Sequence, residues 1–171
     1  RVLFRSVSGM ARGMDAAAHE GALATGTVAV MAGGVDVIYP RENSALYQSI
    51  CEHGVVVSEQ PLGFHPTARH FPIRNRIVSG LALGVLVVEA SLRSGSLITA
   101  RLAGEQGREV MAVPGSPLDP RARGANKLLR EGAALIEEAA DVISALGALA
   151  GRVAEPEEKS PPLSPPPKLL E

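Results

Sequence analysis

Four stretches of this chain combine glycine, hydroxyl side chains and arginine in the manner of anion seats. In Ser8-Gly-Met-Ala-Arg-Gly-Met-Asp15, Gly9 and Gly13 let backbone approach a ligand, and Arg12 offers phosphate a planar fork. Asp15 is also a natural helix N-cap, which would use the free amides itself. In His70-Phe-Pro-Ile-Arg-Asn-Arg76, Pro72 suits the first position of a helix. Arg74 and Arg76 then sit near the helix's positive end, where a cation needs a partner. That partner is an anionic ligand, Glu59 or Glu89. Phe71 is one of three Phe, suited to stacking on a base or to filling a core. Ser91-Leu-Arg-Ser-Gly-Ser-Leu-Ile-Thr99 is the best seat, because Arg93 and the hydroxyls of Ser94, Ser96 and Thr99 can converge on one phosphate at a helix start. Ordinary serine capping is the competing reading. Arg121-Ala-Arg-Gly-Ala-Asn-Lys127 is a basic loop running into a helix, or simply a solvated one.

The usual catalytic signatures are missing. No Gly-x-Gly-x-x-Gly follows a strand pattern, and no Gly-x-Ser-x-Gly is present. Gly21–Gly26 has the spacing of a P-loop start, but Thr27-Val28 stands where Lys-Ser/Thr is required. The four His lack His-Glu-x-x-His spacing and have one Cys for company, so no metal is expected, nor any cofactor. Cys51 lies in a helical pattern and reads as inert core. A single Cys excludes an intramolecular disulfide and fits a reducing compartment. No acid/base pair stands out, so the profile is of a phosphate-binding surface rather than a catalytic one.

Charge sharpens this. The chain of 171 residues carries −1, which by itself argues against nucleic acid. By position the balance is −2 over residues 1–68, +6 over 69–130 and −5 over 131–171. Nine of the ten bases in the central block are Arg, which favours specific anion contacts over a diffuse cloud. No apolar run is long enough for a membrane span.

These loops need a scaffold. Short β-branched runs at Thr27–Met31, Gly54–Val57, Gly84–Val88 and Glu109–Val113, with a weaker one at Ala133–Ile136, alternate with helical patterns. The helices are expected over Asp15–Ala24, Asn43–His53, Pro72–Leu83, Ser96–Glu105, Gly124–Glu131 and Ala139–Leu149. Apolar runs without alternation, separated by helices, read as parallel strands of an α/β fold with ligands at the strand C-terminal ends. Gly26, Gly54 and Gly107 sit where C′ glycines are expected. Val2-Leu-Phe4 and Ser6-Val7-Ser8 are too short and too broken by Arg5 for a buried strand, so the sheet is expected to lack one there. From Glu155 onward six of the 13 prolines cluster, marking an extended or disordered segment.

The same loops resemble the DNA-processing protein A (DprA, or Smf) family. The resemblance rests on Ser8–Asp15, Ala32-Gly-Gly-Val-Asp-Val-Ile-Tyr-Pro40, Ser58-Glu-Gln-Pro61, His70–Ile77, Glu89–Ala100, Val113-Pro-Gly115 and Gly124–Gly132, in family order. It implies a Rossmann-like three-layer α/β/α domain with a mostly parallel sheet over residues 7–150. An atypical segment, 1–6, precedes it and a Pro-rich linker, 151–171, follows. The chain is expected to lack the family's first strand–helix unit, its N-terminal helical domain and its winged-helix domain. The family implies a cytoplasmic protein that binds single-stranded DNA, protects incoming DNA in natural transformation and loads RecA. It implies no enzyme activity, a homodimer and no membrane. The DNA-binding set so implied is Ser8, Gly9, Arg12, Phe71, Arg74, Asn75, Arg76, Ser94, Gly95, Ser96, Thr99, Asn126 and Lys127, led by Arg12.

A rival reading is an enzyme like the LOG-type nucleotide phosphoribohydrolases. Ala32-Gly33-Gly34-Val35-Asp36 lacks the Thr and Glu of their motif. A third reading is a fragment that does not fold on its own.

Overall fold

The structure, a computed structural model, describes residues 5–150. Residues 1–4 and the Pro-rich segment 151–171 lie outside it. Six strands form two parallel three-stranded sheets. The first runs β1 (Ser6–Ser8), β2 (Thr27–Val30), β3 (Val55–Val57); Val7 faces Val28, and Ala29 faces Val56. The second runs β4 (Gly84–Val87), β5 (Glu109–Ala112), β6 (Ala134–Leu135); Leu86 faces Met111.

The α/β expectation holds, with one difference. Among the described residues no ladder joins β1 to β4, so the expected single sheet is divided. A helix bridges the halves: α3 (His70–Leu81) packs on β1 and β2 and on α4 (Gly95–Glu105), which covers β4 and β5. α1 (Met14–Ala22) and α2 (Ser44–His53) cover the first sheet; α5 (Arg123–Arg130) and α6 (Ala139–Ala150) pack on β5. The right-handed crossover rule sets α1 and α2 on one face of the first sheet, and α4 and α5 on one face of the second.

Each half has its own core. Met10, Ala29, Met31 and Ile50 are buried in the first, joined by Leu23, Leu46, Tyr47 and Val56. Val87, Ala90, Ala100, Ala112 and Ala125 form the second, with Leu97, Val110 and Leu128 packed on it. The small residues let helices lie close to the strands. Ile50 is wholly buried, and burial of one such side chain contributes about 1.5–3 kcal/mol.

β1 is a strand after all. Ser6 is satisfied by the fold: its Oγ donates to Ala18 O at 3.1 Å and shares a 2.7 Å hydrogen bond with Thr27 Oγ1. Buried His19 Nδ1 shares a 2.6 Å bond with the same hydroxyl. A polar network replaces the apolar pattern that a sequence reading requires. Gly26 and Gly107 do adopt left-handed φ, 105° and 68°. Gly54 does not, at φ −144°. Glycine is needed there because a Cβ would stand 2.4 Å from Thr27 O. Cys51 is exposed, not core.

Candidate nucleic-acid interface

The loops that follow the strands gather along one edge, as they must when parallel strands alternate with helices. The β1–α1 loop is the most constrained. Asp15 does not cap α1: the helix starts at Met14, Gly13 precedes it at φ 77°, and Asp15 lies within the first turn. Its Oδ2 instead accepts from Gly9 N (2.9 Å) and Ala11 N (3.1 Å), so the loop's amides are filled by the chain itself. Met10 is wholly buried with φ 62°, a costly backbone for a side chain of that size. Asn43 holds it there, donating from Nδ2 to Met10 O (3.0 Å) and Ala11 O (3.3 Å). The loop thereby turns Arg12 outward, exposed and ion-paired with Glu42. This bond raises the Arg12 pKa and lowers that of Glu42.

The β3–α3 loop lies across Gly33 and Gly34. A Cβ on Gly33 would stand 2.6 Å from Phe64 O, and one on Gly34 2.5 Å from Pro61 O. Gly63 N donates to Asp36 Oδ1 at 2.9 Å, closing the cover. The helix beyond it starts at His70, not Pro72, so Pro72 occupies the first turn rather than the first position. There its missing N–H is still harmless.

Arg74 departs most from expectation. It is buried, with Nη1 donating to Gly9 O (2.9 Å), just past β1, and to Val30 O at the end of β2. Burial lowers its pKa, and nearby Asp15 opposes the shift. Its partners are backbone carbonyls rather than an external anion. Arg76 is exposed and paired with Glu59, one of the two acids its position called for. Glu89 pairs instead with Arg121, at 3.8 Å. Asn75 is half-buried. Phe71 is half-buried too, and its ring meets Tyr39 at 5.5 Å between centroids, tilted by 56°. Tyr39 is half exposed. Sequence reasoning passed over Tyr39; its signal was an aromatic followed by Pro outside every apolar run.

On the second sheet, Ser94 caps α4, its Oγ accepting from Ser96 N at 3.3 Å and donating to Ser96 Oγ at 3.2 Å. Thr99 Oγ1 turns to Gly95 O at 3.5 Å. Arg93 is exposed beside them. Asn126 is a clamp: its Oδ1 accepts from Gly115 N (3.1 Å) and its Nδ2 donates to Gly115 O (2.8 Å). Lys127 is exposed and pairs with Glu131 at 2.9 Å. Gly124 N donates to Ala90 O at 2.7 Å, and a Cβ there would stand 2.6 Å from that oxygen. This contact docks the start of α5 on the loop leading to Ser94. Ser8 and Gly9 are half-buried under Arg74 and Asp15, and so they shape the loop.

The exposed bases of the recognised motifs are thus Arg12 and Arg93 on loops and Arg76 and Lys127 within α3 and α5, beside one aromatic pair, Phe71–Tyr39. Among the described residues no group of His, Cys, Asp and Glu is disposed to hold a metal ion. No helix of the described chain is long and apolar enough to cross a membrane.

The family model for DNA recombination-mediator protein A matches residues 4–147. The chain belongs to that family. It is 49% identical over 140 residues to DNA processing protein DprA of Streptococcus pneumoniae, covering 81% of this chain and 50% of that protein. It is similar to the solved structure of the S. pneumoniae protein (TM-score 0.77, 46% identity), covering 82% of this chain and 50% of that one. It is also similar to a Helicobacter pylori DNA processing protein A, whose structure is described as giving a single-stranded DNA binding mode (TM-score 0.75, 33% identity). That match covers 85% of this chain and 66% of the other. The chain therefore spans about half the length of the S. pneumoniae relative. In this DprA-family chain the recognised motifs are the loops just described.

Proposed function

We propose that this DprA-family domain binds single-stranded DNA along the strand-end edge, with phosphates on Arg12, Arg76, Arg93 and Lys127 and a base against the Phe71–Tyr39 pair. The observation that supports this reading is a set of exposed bases, Arg12 and Arg93 on strand-end loops and Arg76 and Lys127 on α3 and α5, together with half-exposed Tyr39 against Phe71. Phosphate contacts supply affinity without sequence preference, and aromatic faces select unpaired bases. Ser94, Gly95, Ser96 and Thr99 shape the α4 end of this path. Ser8, Gly9, Arg74, Asn75 and Asn126 position the loops from beneath.

Binding rather than catalysis is the better reading. Gly33 and Gly34 are closed over by the β3–α3 loop, and the edge carboxylates Glu42, Glu59 and Glu89 are engaged by arginines. From the family resemblance we extend the reading to a cytoplasmic homodimer that protects incoming strands and hands them to RecA.

The test is titration of fluorescent oligo-dT at two salt concentrations against a duplex control, after a melt has shown a cooperative transition. Tight, salt-sensitive binding of oligo-dT over duplex is the expected result. Equal affinity for duplex, or indifference to salt, overturns the proposal.

A further inference from the structure

Two guanidiniums at the strand-end edge are each held by a carboxylate from a distant segment: Arg12 by Glu42 and Arg76 by Glu59. Arg121 is held by its neighbour Asp119 at 2.9 Å, with Glu89 3.8 Å away. Two other ion pairs are of a different kind. Arg101–Glu105 and Lys127–Glu131 are one-turn pairs within a helix. The edge pairs join segments far apart in sequence and lie in the open: the Arg12 and Glu42 side chains are 69% and 55% exposed, and those of Arg76 and Glu59 50% and 43%. Pairs this exposed add little to stability. They are as reachable to a phosphate as to the carboxylate that holds them.

We propose that Glu42 and Glu59 are place-holders for DNA phosphates, each occupying a guanidinium that a phosphate takes, so that a strand binds by displacing them. This rests on the single-stranded DNA reading above. Carboxylate and phosphate present equivalent oxygen pairs to a guanidinium, so one replaces the other without rebuilding the loop. The replacement favours a polymer. Once one phosphate has displaced Glu42, the next ones on the same strand stand near Arg76 at high effective concentration. Inorganic phosphate or a mononucleotide has no such tether and competes with each carboxylate singly. The place-holders keep the arginines ordered when no strand is bound, and they set an affinity below the maximum the edge can reach.

The experiment measures oligo-dT affinity at one fixed salt concentration for the unaltered chain and for Glu42→Gln and Glu59→Gln. Glu105→Gln serves as a control that changes net charge equally. α4 runs antiparallel to the strands, so Glu105 at its end lies at the opposite edge of the sheet. The two edge variants sit on different segments, so the misfolding of one leaves the other to decide. Each edge variant is expected to bind roughly two- to fivefold more tightly, the range that an exposed pair's strength permits. Glu105→Gln is expected to gain less. Edge variants that bind equally well or more weakly than the unaltered chain, or that gain no more than Glu105→Gln, overturn the place-holder role and leave DNA binding standing. Absence of binding by the unaltered chain and by every variant overturns the DNA reading and this inference with it.

Discussion

Arg74 Nη1 lies 2.9 Å from Gly9 O, and its guanidinium fills the space that a Cβ on Gly9 would take, with atoms 2.2–2.4 Å from that position. One residue on the bridging helix therefore fixes the start of the β1–α1 loop. Gly9→Ala must expel the guanidinium, an overpacking change worth about 1–3 kcal/mol. Arg74→Ala leaves the carbonyls of Gly9 and Val30 without their donor, also at about 1–3 kcal/mol. Urea melts are expected to show both losses, and the double variant to lose less than the two together, because each change removes the same contact. Strict additivity would contradict the arrangement.

Arg12 is the opposite case. It stands outside the packed loop, so Arg12→Ala is expected to leave the melting temperature unchanged. It should weaken binding to oligo-dT and to mixed sequences alike, since a phosphate contact carries no base information. The slope of log affinity against log salt should fall by about 0.7, the single-strand value for one phosphate contact. Loss confined to one sequence, or an unchanged slope, would exclude Arg12 as a phosphate ligand.

The contrast between these arginines shows what the sequence can and cannot carry. Four apolar runs marked β2 to β5 because their side chains announce burial. β1 stayed hidden because Ser6, Thr27 and His19 satisfy one another, and a hydroxyl network leaves no periodicity. At Arg74 and Arg76 the electrostatic argument was sound: two cations near a helix start need partners. For Arg76 the partner was Glu59, a side chain visible in the sequence. For Arg74 it was two carbonyls, which every residue has and no sequence singles out. Asp15 was recognised as a consumer of free amides, but it reaches back to Gly9 and Ala11 rather than capping α1. That reach depends on the loop's path, and the path depends on Asn43, 33 residues away from Met10.

Tyr39 gives the edge an optical reporter. The chain has no Trp and two Tyr. Tyr47 is half-buried and donates its hydroxyl proton to Val35 O at 2.6 Å, whereas Tyr39 is half exposed against Phe71. A base stacked at this pair is expected to quench tyrosine emission as oligo-dT is added. Tyr39→Phe should abolish the quenching and retain affinity. Phe71→Ala should cost binding about 1–3 kcal/mol, the usual loss for one stacked base. Quenching that persists in Tyr39→Phe would place the strand elsewhere.

His19 makes stability depend on pH. It is wholly buried, Nδ1 is engaged with Thr27, and Nε2 has no hydrogen-bond partner among the described residues. Burial holds its pKa below the ordinary 6.5; Asp15 opposes the shift, and Arg74 adds to it. In the window between that lowered value and 6.5, the unfolded chain binds a proton that the folded chain refuses. Stability therefore rises with pH across the window. The contribution is complete above 6.5 and is lost as pH falls through the folded-state value. Thermal melts between pH 7.5 and 5.5 should show the unaltered chain weakening toward acid. His19→Asn keeps a polar group near Thr27 but has no proton to gain, so its melting temperature should fall less over the same range. His53, His65 and His70 are present in both proteins and cancel in the comparison. Parallel curves for the two would mean that His19 takes up its proton equally in the folded and unfolded states, and that the network around Thr27 tolerates the charge.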